Sequence, residues 1–287
     1  MNNTSYSFLN SLMPSEMAYQ AEELGVKKAT LDWLSLICLS VLAGAFIALG
    51  SIFYTSVTAG LAGVIPYGLI KLIGGLVFCL GLILVVVAGA ELFTGNALVV
   101  IALAAKKITI GQLIRNWRIV FVGNFIGALG TVFLVFFSGQ YLFNDGQIGQ
   151  HMLEIANAKC QLGFSQAIFL GILCNALVCL AVWLCLSART TTDKILAIIF
   201  PITAFVAAGF EHSIANMYFV PAGLMVKSFA LPEFWETIGA TAADFDQLTW
   251  GNFLVDNLLP VTIGNIIGGG LFVGLIYWLI YRRPGRY

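Results

Sequence analysis

The chain has 287 residues, 60% of them hydrophobic and 10% charged, with a formal net charge of zero. Soluble domains carry about 25% charged residues, so polar groups are too few here to cover a water-facing surface, and lipid is the expected solvent for most of the chain. A neutral chain also has no overall field to recruit nucleic acid.

Residues 1–33 form a polar lead-in carrying Glu16, Glu22, Glu23, Lys27, Lys28 and Asp32. Within it, 14–25 reads as a short amphipathic helix. Pro14 suits its first turn and Gly25 its end, and Met17, Ala21 and Leu24 share a face. The first apolar run begins near Leu34 and is long enough to span, unlike the short core of a signal peptide. Apolar segments then follow at 34–57, 67–106, 112–138, 162–188, 194–228 and 252–281, with a tail at 282–287. About 20 helical residues cross ~30 Å of hydrocarbon, and four of these segments fit one crossing each.

The second and fifth segments do not. A straight helix over 67–106 reaches ~60 Å at 1.5 Å per residue, and no polar turn divides it into two full spans. Its middle instead reads Gly89-Ala90-Glu91-Leu92-Phe93-Thr94-Gly95-Asn96, and the fifth segment reads Gly209-Phe210-Glu211-His212-Ser213-Ile214-Ala215-Asn216. Both are G-x-E-x-x-x-x-N, offset by 120 residues (211 − 91). A second echo, G-N-x-I-G, joins Gly123–Gly127 to Gly264–Gly268. Spans 1–3 are therefore expected to repeat as spans 4–6. An odd number of spans per repeat gives the halves opposite orientations, and matched interruptions point to a transport site.

Basic residues set the expected sidedness. Lys27, Lys28, Lys106, Lys107, Arg115, Arg118, Arg189, Lys194, Arg282, Arg283 and Arg286 fall on one side, and Lys71, Lys159 and Lys227 on the other. Six spans with both termini cytoplasmic satisfy the positive-inside rule. The outer loop 229–251 is acidic, with Glu233, Glu236, Asp244 and Asp246.

Backbone leaving a helix inside a bilayer needs partners for its amides and carbonyls. Glu91, Asn96, Glu211 and Asn216 are expected to supply them. The second half of each broken span starts near Asn96 and Ser213. Each start carries about +0.5 charge and free N–H donors, and opposed repeats aim both at the centre, which favours an anion or a polar acceptor over a cation. His212 is the one histidine in a membrane segment, with His151 expected in a loop. An intramembrane ionisable group marks function by default. Imidazole exchanges protons near neutral pH, so a weak-acid anion can take a proton from His212 and cross a dry constriction as the neutral acid. The alternative is a neutral histidine bonded to Thr94 or Asn175. Five of the six cysteines lie in apolar runs and Cys160 in a loop, with no C-x-x-C or zinc spacing, so no metal or cofactor is expected. No H-E-x-x-H or G-x-S-x-G appears, so an enzyme is not expected either.

At VAGAELFTG (87–95), GILCNALVCLA (171–181), GFEHSIANM (209–217) and PVTIGNIIGGG (260–270), the sequence resembles the formate/nitrite transporter family, most closely its formate channels. The resemblance implies an all-α, aquaporin-like protomer with six transmembrane helices, the second and fifth broken, assembled as a homopentamer in a bacterial inner membrane. It implies that Thr94 faces His212. It implies one hydrophobic ring at Leu82 and Phe205 with Phe78 nearby, and another from Leu92, Phe93 and Val178. Lys159 matches an anion-attracting vestibule lysine, Asn175 and Asn265 match pore-lining or pore-supporting asparagines, and the N-terminal segment matches one that gates the inner mouth. Formate and related small anions are the expected substrates. A cytoplasmic formate-metabolising enzyme is an expected partner at the N-terminal segment. Nitrite or hydrosulfide conduction is the alternative within the family, and a water- or glycerol-like pore the alternative outside it.

Overall fold

The computed structural model describes residues 11–284; residues 1–10 of the polar lead-in and 285–287 of the tail lie outside it. Every regular element among the described residues is helical. Five helices are long and apolar enough to cross a membrane: α2 (Trp33–Thr58), α3 with its π-helical extension (Tyr67–Gly89), α5 (Ile110–Phe137), α7 (Phe164–Ser187) and Asn252–Tyr281. The last is a continuous rod in which π-helical stretches flank α11 (Leu259–Ile266) and precede α12 (Ile276–Tyr281).

Both long segments break. The second leaves helical geometry after Gly89, runs irregularly through Ala90–Thr94, and resumes as the short half-helix Gly95–Ala104, whose α-helical part is α4 (Val100–Ala104). The fifth divides into α8 (Thr191–Ala207) and α9 (Ser213–Phe229), each of 17 residues. At both breaks a glycine takes positive φ, +85° at Gly89 and +72° at Gly209, a region open to glycine and strained for other residues. Both breaks also close on an i→i−5 bond, Ala90 N–H to Val85 O at 2.9 Å and Phe210 N–H to Phe205 O at 3.0 Å.

The packing is duplicated. α2 packs on α5 as α7 packs on α11, and α2 on α3 as α7 on α8. The glycines of the two G-N-x-I-G motifs explain the close approach. A Cβ at Gly127 would collide with the Val41 carbonyl, and one at Gly264 or Gly268 with the carbonyl of Ile168 or Ile172. Small residues let membrane helices come together backbone to backbone.

Three expectations need correction. The N-terminal helix does not stop at Gly25. α1 runs Pro14–Thr30, with proline in its first turn. Gly25 is a packing glycine, because a Cβ there would lie 2.9 Å from the Ala102 Cβ. The stretch carrying His151 and Cys160 is not a loop but α6 (Gln147–Cys160), led in by left-handed Gly146. Its inward stripe of Ile148, Met152, Leu153, Ala156 and Cys160 is buried. The segment 229–251 contains α10 (Pro232–Ile238), bent 109° from α9, and is tied back by Lys227, whose Nζ donates to the Phe245 and Leu248 carbonyls at 2.7 and 2.9 Å. These helices extend the matched packing: α1 packs on the half-helix Gly95–Ala104 as α6 packs on α9.

α1 is anchored by charge. Buried Glu22 accepts from Arg282 Nε at 2.8 Å and pairs with Lys107 at 2.7 Å. Burial raises the pKa of Glu22, but the bonds from Arg282 and Lys107 outweigh that and hold it below the ordinary carboxylate range. A lowered native pKa means this anchorage is fully present above the unfolded value and is lost as pH falls through the native one. Glu22→Gln is therefore expected to speed hydrogen exchange of the α1 amides at neutral pH. The native protein should show the same loosening only at pH below the ordinary carboxylate range.

Candidate functional site

The breaks are held by two copies of one bond set. In the first, Lys28 Nζ donates to Glu91 Oε1 at 2.7 Å, and Asn96 Nδ2 donates to Glu91 Oε2 at 2.7 Å and to Asn116 Oδ1 at 3.0 Å. Asn116 Nδ2 in turn donates to the Lys28 carbonyl at 3.0 Å. In the second, Lys159 Nζ donates to Glu211 Oε1 at 2.7 Å, and Asn216 Nδ2 donates to Glu211 Oε2 at 2.6 Å and Asn257 Oδ1 at 2.7 Å. Asn257 Nδ2 closes the ring on the Lys159 carbonyl at 3.0 Å.

The freed backbone goes to two further asparagines. Asn124 Nδ2 donates to the Ser40 and Glu91 carbonyls at 2.7 and 2.9 Å, and its Oδ1 accepts from Phe93 N–H at 2.9 Å. Asn265 Nδ2 donates to the Gly171 and Glu211 carbonyls at 2.8 and 3.0 Å, and its Oδ1 accepts from Ser213 N–H at 2.9 Å. This reassigns a role. The carboxylates of Glu91 and Glu211 do not receive the loose amides; they bind lysine and asparagine, while side chains from α5 and α11 satisfy the backbone. Buried main-chain groups demand such partners. Asn116, Asn257 and Lys28 were not expected in the site, yet a signal existed: each motif asparagine has another eight residues before it, 116 to 124 and 257 to 265.

The halves differ at the residues that open the second half-helices. Thr94 and His212 are the N-cap residues of the two second-half helices, and Thr94 Oγ1 meets His212 Nε2 at 2.9 Å. His212 Nδ1 accepts from Ala215 N–H at 3.1 Å. An accepting Nδ1 carries no proton, so the neutral ring bears its proton on Nε2 and donates it to the Thr94 oxygen. The hydroxyl hydrogen of Thr94 then has no acceptor among the described residues and is available to an incoming one. A second proton on His212 must enter at Nδ1, at the expense of the bond that caps α9. Asn175 Nδ2 fixes the loop from behind, donating to the carbonyls of Thr94 at 3.2 Å and Asn265 at 2.6 Å, and Cys179 Sγ also donates to Thr94 O at 3.3 Å. The two positive helix ends therefore meet at one hydrogen-bonded pair.

Two recesses approach this pair. One, of about 460 Å3, is lined by Leu82, Leu92, Glu91, Lys27, Lys28 and Lys194. The other, of about 390 Å3, is lined by Phe78, Phe205, His212, Glu211, Lys159 and Lys71, among others. The apolar residues thus group differently from expectation. Phe78 and Phe205 stand edge to face with centroids 5.8 Å apart, and Phe205 stacks at 5.9 Å on His212. Leu82 joins Leu92 in the other recess. Phe93 lines neither; its ring packs on Phe121 and Trp117, at 5.0 and 6.1 Å, because Asn124 holds its backbone toward α5. Val178 is buried on α7 between Asn175 and Cys179 and lines neither recess.

Residues 15–279 match the family model described as formate/nitrite transporter. The chain is 50% identical over 272 residues to the formate channel FocA of Escherichia coli (strain K12), covering 95% of each. It is 44% identical over 265 residues to the formate channel FocA of Haemophilus influenzae, covering 92% of this chain and 93% of that one. A solved structure titled "Pentameric formate channel with formate bound" superposes with a TM-score of 0.83 at 47% identity, over 88% of this chain and 98% of the other.

Proposed function

Because the chain belongs to the formate/nitrite transporter family, we propose that it is an inner-membrane formate channel, passing formate and similarly small monovalent anions through each protomer of a homopentamer. In this reading α8 and α9 together make the fifth of six spans, and both termini are cytoplasmic. The two bond sets relate halves inserted in opposite senses, giving an aquaporin-like protomer. The recess beside α1 opens inward and the recess beside α6 outward. Lys28 and Lys159 then stand at equivalent depths on the two sides, each held by its glutamate. Leu82 with Leu92, and Phe78 with Phe205, are the dry constrictions either side of the Thr94–His212 pair, where an unhydrated anion pays its greatest desolvation cost.

The observation that carries this reading is the 2.9 Å contact between the caps of two half-helices. It gathers two positive helix ends, an imidazole N–H and a spare hydroxyl hydrogen at one point. An arriving anion accepts from Thr94 and His212 Nε2–H. Proton transfer to that anion leaves a neutral ring only if Nδ1 takes up another proton, which requires release of the Ala215 amide. Exchange and the α9 cap are therefore coupled.

The test is flux of formate, nitrite, acetate and hydrosulfide into proteoliposomes across a pH series. Formate is expected to pass fastest, and faster as pH falls. Glycerol passing readily, at a rate indifferent to His212→Asn, would replace this reading with a neutral-solute pore.

A further inference from the structure

The lysine aligned with anion attraction is already spoken for: Lys159 is bonded to Glu211 at 2.7 Å, with side chains 16% and 7% exposed. Its charge is balanced where it stands. In the same recess Lys71 has no carboxylate partner among the described residues. Its Nζ lies 3.5 Å from the Tyr54 hydroxyl and 5.4 Å from the centre of the Tyr67 ring. Beside it, on α6, stands His151, whose ring stacks on Tyr54 at 6.5 Å.

The neighbours of His151 call for a donor at both nitrogens. Thr58 Oγ1 spends its hydrogen on the Tyr54 carbonyl at 2.7 Å, so at 2.9 Å it accepts from His151 Nε2–H. Nδ1 faces Glu154 Oε2 at 3.5 Å. A bare Nδ1 sets a lone pair against a carboxylate, and a protonated one forms an ion pair. His151 accordingly holds the Glu154 carboxyl below its ordinary range, against the opposing effect of burial.

We propose that Lys71, Tyr54 and His151 form an anion-docking site in the α6-side recess that collects small monocarboxylates before the constriction, and that the His151–Glu154 pair sets its strength with pH. The charged groups lining this recess are Lys71, Lys159, Glu211, Glu154 and His151. With His151 protonated, cations exceed carboxylates by one, and Lys71 is the uncompensated charge. When His151 loses its proton, the Glu154 carboxylate is uncovered and the recess is neutral. Docking therefore strengthens as the medium acidifies, in the direction that protonates His151. This is distinct from the central pair, because neither Thr94 nor His212 takes part in the docking.

The proposal rests on formate conduction, and the experiment separates the two. Labelled formate uptake into right-side-out membrane vesicles is measured against formate concentration at pH 5.5 and 7.5, with pentamer content matched by size exclusion. Failure of the native protein to conduct formate sinks the functional reading. If it conducts, its half-saturating formate concentration is expected to rise severalfold from pH 5.5 to 7.5. Lys71→Gln should raise that concentration about three- to tenfold at pH 5.5, the effect of one charge in wet surroundings, with the maximal rate within about twofold, and Lys71→Arg should restore it. His151→Asn should give a high, pH-independent value, and Glu154→Gln a low value at both pH settings. Native half-saturation in Lys71→Gln, or native pH dependence in His151→Asn, overturns the docking site while leaving the channel intact.

Discussion

Formate flux through His212→Phe is expected to fall about 10- to 100-fold, with the assembly still intact. A hydrogen bond to a charged group is worth about 1.5–3 kcal/mol, and each 1.4 kcal/mol is a tenfold change. Phenylalanine removes the Nε2–H that faces Thr94 and the Nδ1 that caps α9. The lost cap costs about 1 kcal/mol of helix stability, too little to unfold a bundle whose other bonds persist. Asparagine separates the two roles, since its oxygen can cap α9 and its amide can donate, but it cannot shuttle a proton. His212→Asn should therefore assemble and pass formate without the accompanying proton. The measurement is lumenal pH alongside labelled formate in the same vesicles. One proton entering per formate in the asparagine variant would remove His212 from the transfer step.

Glu211→Ala is expected to remove about 3–5 kcal/mol of stability, the cost of stranding one member of a buried ion pair. Lys159 Nζ loses its carboxylate, and the Asn216 and Asn257 amides each lose one of two acceptors in the same stroke. The loss should appear as a lower thermal midpoint and a smaller pentamer fraction in detergent. The double variant Lys159→Met/Glu211→Gln should recover a substantial part, because no charge is then left buried. A single variant within about 1 kcal/mol of the native protein, the range of an exposed pair, would mean that the clamp does not hold the break.

Much of this was legible in the chain because it rests on covalent spacing. The G-x-E-x-x-x-x-N echo fixed where both long segments break, and the start of the half-helices was read to within a residue, Gly95 for Asn96 and Ser213 itself. The meeting of Thr94 and His212 came with the resemblance and is matched by the 2.9 Å contact. Other features escaped for physical reasons. α6 was missed because 147–160 carries only a partial apolar stripe, and its start depends on the left-handed turn at Gly146 rather than on a capping side chain. Gly25 reads as a stop in one dimension and proves to be a contact in three. The direction of Phe93 depends on which neighbour holds its backbone, here Asn124 of α5, and such information is long-range. Asn116 lies within α5 and Asn257 in the π-helical stretch ahead of α11, and only their equal spacing from the motif asparagines betrays them.

The doubled clamps also bear on how such a pore can be retargeted. Between the clamped glutamate and asparagine of each loop, the two copies differ at all four positions, Leu92, Phe93, Thr94 and Gly95 in one and His212, Ser213, Ile214 and Ala215 in the other. In the proposed channel the central Thr94–His212 pair is thereby confined to two short loops, while the framework beneath is written twice in the same letters. A small combinatorial library confined to those positions can search for pores tuned to anions of other sizes or acidities without disturbing the lattice of lysine, glutamate and asparagine that keeps the chain folded.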